Sequence, residues 1–158
     1  MHSVLFVCSA NICRSPMAMG LLRKLTETDQ SNWSIDSAGV WAVPGLHPSE
    51  FAQLALAEKG IDISDHRSKA VTSDLLDDFK LSLVMERKHK EVLWSVFPDH
   101  RSRILMLTEL NDKVEDIADP YGMRLIDYRT IANEIYEQLN SNLKKIKQLS
   151  RGEFEEDG

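Results

Sequence analysis

Cysteine is scarce in this chain of 158 residues: Cys8 and Cys13 are the only two. Two cysteines cannot build the disulfide framework of a small secreted domain, and no Cys-x-x-Cys pair is present to hold a structural zinc. The five histidines, His2, His47, His66, His89 and His100, also lack metal-ligand spacing. Basic charge is in deficit, with 19 Lys and Arg against 25 Asp and Glu, a net charge of −6 and a pI near 5.4. That balance argues against a nucleic-acid sleeve or an anionic-membrane surface, though not against a local anion pocket. No apolar run approaches the roughly 20 residues that span a bilayer. The apolar stretch at Val4–Cys8 is too short for a signal peptide's core and has no basic flank. What is present is ample for a core: 42% of the residues are apolar. The expectation is one cytoplasmic domain over residues 1–150, followed by an acidic tail over 151–158.

Strand-like and helix-like patterns alternate along the sequence. Ser3–Val7, Trp33–Ser37, Lys80–Met85 and Arg103–Leu107 read as four short apolar strands. Helices are predicted over Pro16–Thr28, Ser49–Lys59, Thr72–Asp78, Arg87–Phe97 and Asp127–Leu149. Pro16 is placed at a helix's first position, where its missing N–H costs little. Trp33 and Trp94 are assigned to the core. This alternation predicts an α/β fold of three layers, a four-stranded parallel sheet with helices on both faces. Ligands of such sheets bind beyond the carboxyl ends of the strands, which directs attention to the connection after the first strand.

That connection reads Cys8-Ser9-Ala10-Asn11-Ile12-Cys13-Arg14-Ser15-Pro16. A curled loop running into a helix start turns several N–H groups toward one point and so cradles an anion. Arg14 adds a planar fork that grips two phosphate oxygens. Cys8, at the start of the loop, would lie beneath the anion, where N–H dipoles and a guanidinium favour a thiolate. Ser15, read as the helix N-cap, supplies a hydroxyl for the thiolate or the loop. A charged nucleophile below a neutralised phosphoryl group is the arrangement that phosphoryl transfer to sulfur needs.

The run Val4–Pro16 resembles the active-site loop of the low-molecular-weight protein tyrosine phosphatases. The resemblance continues through Asp36-Ser37-Ala38-Gly39, Gly60-Ile61, His66-Arg67, Met85-Glu86 and Asp119-Pro120-Tyr121. It implies a flavodoxin-like sheet and hydrolysis of phosphotyrosine through a phosphocysteine on Cys8, without metal or other cofactor. Asp119 resembles the general acid that later activates water; Asp116 is the competing carboxylate. The resemblance gives Ser9, Ala10, Asn11, Ile12, Cys13 and Ser15 to the phosphate loop, and Ser37 and His66 to the polar network behind it. Tyr121 and Trp41 are expected to wall the slot for the aromatic ring. In parts of the family the second loop cysteine bridges to the nucleophile, which here would be Cys8–Cys13. The implied partner is a phosphotyrosine-bearing protein, a tyrosine kinase being one candidate, and a monomer is expected.

Two positions depart from the family pattern. Ala10 stands where glycine is usual, and would be strained if that position needed positive φ. Met19 replaces a common acidic residue early in the helix, removing a favourable contact with the helix dipole. Three rival functions remain. An arsenate reductase of this type uses relay cysteines beyond the loop, which this chain lacks. A protein-arginine phosphatase resembling these enzymes carries threonine where this chain has the bulkier Ile12. A phosphate-binding module without turnover has no use for Cys8 and Asp119 together.

Overall fold

Seven consecutive buried residues, His2–Cys8, form β1 in the computed structural model, which describes residues 1–154. A strand without an exposed position must be covered on both faces. β1 pairs in parallel with β2 (Trp33–Gly39) from His2↔Trp33 to Cys8↔Gly39, and with β3 (Leu81–Val84) from Val4↔Leu81 to Val7↔Val84. β4 (Ile104–Met106) pairs with β3, giving the parallel order β2-β1-β3-β4. The predicted four-stranded parallel sheet is therefore present.

Side chains of β1 alternate between two cores, as a period of two requires. Val4, Phe6 and Cys8 point into the larger core, with α1 (Arg14–Thr26), α2 (Glu50–Ala57), α5 (Leu125–Ser141) and α6 (Leu143–Leu149). Leu5 and Val7 point into the smaller one, beneath α3 (Ser73–Asp77) and α4 (Arg87–Val96). The outer edge of β4 is closed by side chains: the indole N–H of Trp94 donates to the Ile104 carbonyl and the Met106 N–H donates to Glu109. Such capping blunts an edge that would otherwise pair with another chain.

Several sequence expectations shift. The long helix expected over Asp127–Leu149 is two helices, broken at Asn142, whose φ of −116° and ψ of 16° leave the helical region. Its side-chain amide donates back to the Gln138 carbonyl at 2.8 Å, local bonding of the kind that competes with helix propagation. Pro16 is the third residue of α1, still within the turn whose N–H groups lack helical acceptors. Ser15 is inside that helix, and Cys13 is the N-cap. Trp33 and Trp94 are only half-buried; Trp33 stacks on the buried His2 ring at 4.2 Å. Phe154 packs on the larger core, while residues 155–158 of the acidic tail lie outside the described residues. Among the described residues no helix is long and apolar enough to cross a membrane.

The chain runs from β1 outward to β2 and returns past β1 to β3 and β4, so the order reverses between β1 and β3. Loops leaving those two strands part there and leave a crevice. Ile117 N–H donates to the Met85 carbonyl just beyond β3 at 2.8 Å, drawing the segment after β4 over the same crevice.

Candidate active site

The loop 9–13 curls because Asn11 adopts a left-handed backbone, φ 61°, which asparagine tolerates better than most residues. Three bonds hold it there. Its side-chain amide donates to Ser15 Oγ and Ser37 Oγ, each at 2.9 Å, and its Oδ1 accepts from Lys69 N–H at 3.0 Å. His66 Nε2 lies 3.0 Å from the Asn11 carbonyl and donates to it. Burial pushes the His66 pKa down, so the ring is neutral and has one N–H to give. Ser37 and His66 thus both bond to Asn11. Ala10 is not in the left-handed region, so its departure from glycine carries no backbone strain. Met19 is buried with its sulfur 3.7 Å from Ser37 Oγ, and an acid there would be buried too. Gly39 is required at the back of the loop: a Cβ on it would come within 2.5 Å of the Ser9 carbonyl oxygen.

These bonds also orient the hydroxyl nearest the nucleophile. Ser15 Oγ accepts from Asn11, so its own proton is free, and Cys8 Sγ lies 2.9 Å away. The alternative acceptor, the Ala38 carbonyl, is at 3.4 Å. The proton therefore goes to sulfur, which accepts it. Cys13 is held differently. It is buried beside Ser49 Oγ at 3.3 Å and the Tyr128 hydroxyl at 3.5 Å. Burial pushes its pKa up and raises that of Tyr128 to about 12, so both stay protonated. Both cysteines are free thiols.

Arg14 is 1% exposed, and the structure shows what steers it. Its Nη1 donates to Glu86 at 2.7 Å and to the Ile117 carbonyl at 2.6 Å. Its Nη2 is 3.6 Å from Asp119 Oδ2, and its buried Nε has no partner among the described residues. A buried donor without a partner costs free energy unless a ligand supplies one. The side of the guanidinium bearing Nε and Nη2 is thus the one left for an anion. Asp119 is half-exposed, with Oδ1 accepting from Tyr121 N–H at 3.1 Å. Asp116 accepts from Arg87 N–H at the start of α4, so it serves that helix.

A cavity of about 320 Å³ joins these groups, lined by Cys8, Ala10, Ile12, Cys13, Arg14, Leu46, Asp119 and Tyr121. Trp41 does not line it. Its backbone N–H donates to the Ser9 carbonyl at 2.9 Å, and its ring lies toward His89 and Lys88 at the start of α4. Leu46 takes the place expected for Trp41. Sequence reasoning also missed Glu86 as the partner of Arg14, and His89. His89 Nδ1 accepts from Glu86 N–H at 3.1 Å, which leaves the proton on Nε2, and that nitrogen donates to Ser9 Oγ at 2.8 Å. Burial first, then the charges of Arg14 and Lys88, lower the His89 pKa to about 4. The only sequence signal for this pair was the Met85-Glu86 step after β3.

The family model described as low molecular weight phosphotyrosine protein phosphatase matches residues 3–151. A protein-arginine-phosphatase of Bacillus subtilis is 34% identical over 94% of this chain and 99% of its own length. A probable low molecular weight protein-tyrosine-phosphatase, EpsP of Ralstonia nicotianae, is 34% identical over 93% of this chain and 97% of its own. The crystal structure of a low molecular weight protein tyrosine phosphatase from T. tengcongensis superposes with a TM-score of 0.88 at 37% identity, covering 92% of this chain and 99% of that one. Matched by that family model over nearly its whole length, this chain belongs to the low molecular weight phosphotyrosine protein phosphatase family.

Proposed function

We propose that this chain hydrolyses phosphotyrosine in proteins, with Cys8 as nucleophile, Arg14 and the loop N–H groups as phosphate ligands, and Asp119 as general acid and then base. The observation that carries the reading is Cys8 Sγ, hydrogen-bonded by Ser15, in one cavity with the partnerless Nε of Arg14 and the carboxyl of Asp119. A phosphate seated over Cys8 gives Arg14 Nε its missing acceptor and draws Nη2 from Asp119. The Cys8 thiolate attacks phosphorus, the bond from phosphorus to the phenolic oxygen breaks, and Asp119 passes its proton to that oxygen. Asp119, now a carboxylate, takes a proton from water as the water oxygen attacks phosphorus. The sulfur–phosphorus bond breaks, and thiolate and inorganic phosphate are released. A nucleophilic thiol suits the reducing cytoplasm, and a tyrosine kinase that phosphorylates itself is a partner of fitting chemistry.

The relative named protein-arginine-phosphatase supplies the second reading. Ile12, Leu46 and Tyr121 favour the phenyl ring over it, because three apolar walls suit a ring better than a guanidinium, for which Asp119 is the carboxylate in the cavity lining. p-Nitrophenyl phosphate should be hydrolysed in the presence of chelator and inhibited by vanadate. Cys8→Ser should abolish turnover and keep phosphate binding; an active Cys8→Ser would reassign the nucleophile. Asp119→Ala should slow a poor leaving group by about 10²-fold or more and a good one less. Equal slowing of both would remove Asp119 from the acid role. Faster turnover of phosphoarginine than of phosphotyrosine would favour the second reading.

A further inference from the structure

Exposed apolar side chains are concentrated in the two chain segments that each give one residue to the cavity wall. Among the described residues eleven large apolar side chains stand exposed, and eight of them fall within residues 41–54 and 121–126. One from each segment, Leu46 and Tyr121, also lines the cavity. In the same two segments Val43, Met123 and Ile126 are 62%, 51% and 49% exposed. The surface continues toward α2: Tyr128, whose hydroxyl meets Cys13 at the cavity wall, packs edge-on against Phe51 at 5.7 Å, and Leu54 follows one turn on. Singly scattered apolar side chains are ordinary on a monomer, whereas a collection around one opening marks a binding surface.

The cavity itself determines what crosses this surface. A phosphoryl group fills the loop and a phenyl ring fills the slot, so the neighbours of a phosphotyrosine leave across the two segments that carry Leu46 and Tyr121. Beside these segments Lys88 pairs with Glu86 and Arg124 with Asp127, while Arg67, next to the Ser68 that bonds Leu46, donates to the Ser64 and His66 carbonyls. Asp119 at the rim and the net charge of −6 disfavour acidic neighbours. We infer that the substrate segment is one in which the phosphotyrosine is flanked by bulky apolar residues, bound in extended form across the 41–54 and 121–126 rim. The inference rests on the phosphotyrosine reading above and specifies its substrate class. A segment of this kind is buried in most folded proteins, so the substrate presents it from an exposed tail or loop.

The test uses the full chain and two phosphotyrosine peptides of equal length, one with Leu, Ile and Phe beside the phosphotyrosine and one with Glu at those positions. p-Nitrophenyl phosphate, which has no flanks, is the reference. The apolar peptide should have the higher kcat/KM by about ten-fold, mostly through KM, equivalent to about 1.4 kcal/mol of binding. In the double variant Met123→Ser, Ile126→Ser the two peptides should fall within about two-fold of each other, with the p-nitrophenyl phosphate rate unchanged. Equal rates in the parent chain, or a preference that survives in the double variant, overturn the inference. A parent chain that sediments as a dimer, becomes a monomer in the double variant and shows no peptide preference assigns the rim to a second copy instead. Failure to hydrolyse p-nitrophenyl phosphate overturns the phosphotyrosine reading with it, whereas hydrolysis without peptide preference overturns the substrate class alone.

Discussion

At the residue scale, hydrogen-bond direction carries most of the chemistry. Asn11 donates to Ser15 and Ser15 donates to Cys8, so the side chain of Asn11 determines how the nucleophile is hydrogen-bonded. His89 plays the corresponding part at the other end of the loop, since the Glu86 N–H on its Nδ1 forces the proton onto Nε2 and toward Ser9. Nitrogen-15 spectra should therefore show His89 as the neutral Nε2–H form at pH 6, with titration near pH 4. An imidazolium at pH 6 would contradict the bonding to Glu86. Once protonated, the ring would set a cation 3.6 Å from Glu86 Oε2 and compete with Arg14 for that carboxylate. The nucleophile, the arginine and the loop were legible in the sequence because they are contiguous, so their spacing alone encodes the curl. Glu86, the Ile117 carbonyl and His89 come from segments roughly 70–100 positions away, and only the β1–β3 pairing brings them to Arg14.

At the element scale, the strands were legible because burial on both faces leaves an unbroken apolar run, as in Val4–Val7. The break between α5 and α6 was not, since Ile135, Leu139 and Ile146 keep one buried stripe across it and periodicity does not register a local bend. Trp41 was misplaced for a related reason. Its slot role presumed the course of a loop, and that loop is tied by Val40 and Trp41 N–H groups to the Cys8 and Ser9 carbonyls. The same close approach of β2 to the loop explains Gly39. In Gly39→Ala the new methyl meets backbone, the Ser9 carbonyl oxygen at 2.5 Å and Asn11 N at 3.0 Å, and neither neighbour can swing aside as a side chain would. Overpacking of this sort costs about 1–3 kcal/mol. The vanadate inhibition constant of Gly39→Ala should rise about ten-fold or more, with a lower melting temperature. An unchanged inhibition constant would mean that the loop's shape does not depend on contact with β2.

At the scale of the whole molecule, three histidines from separate parts of the chain are buried or half-buried with lowered pKa values. They are His2 stacked on Trp33, His66 beneath the loop and His89 beside Arg14, and burial is the first cause for each. The unfolded chain protonates such groups near pH 6.5, whereas the folded chain resists until lower pH. Unfolding therefore takes up protons in this window, and stability present above about pH 6.5 is lost as pH falls toward the folded values. From pH 6.5 to about 4, His89 alone accounts for a loss on the order of 3 kcal/mol at one proton per unfolding event. Glu134, whose pKa is raised by burial, acts in the opposite sense, favouring the folded state as acid is added. Asp29, Glu58 and Asp62 have lowered pKa values and weaken the fold only as carboxylates begin to protonate, below most of the histidine range. Urea unfolding should thus show a midpoint that is nearly level between pH 7 and 8 and falls steadily from pH 6.5 to 4.5. In His89→Asn, which keeps a side chain of similar reach without a titrating ring, that fall should be shallower by up to one proton. A midpoint that stays level down to pH 4.5 in the parent chain would show that these rings are charged within the fold. The neutral ring assigned to His66, the Nε2–H form assigned to His89 and the bonds drawn from both into the phosphate loop would then fall together.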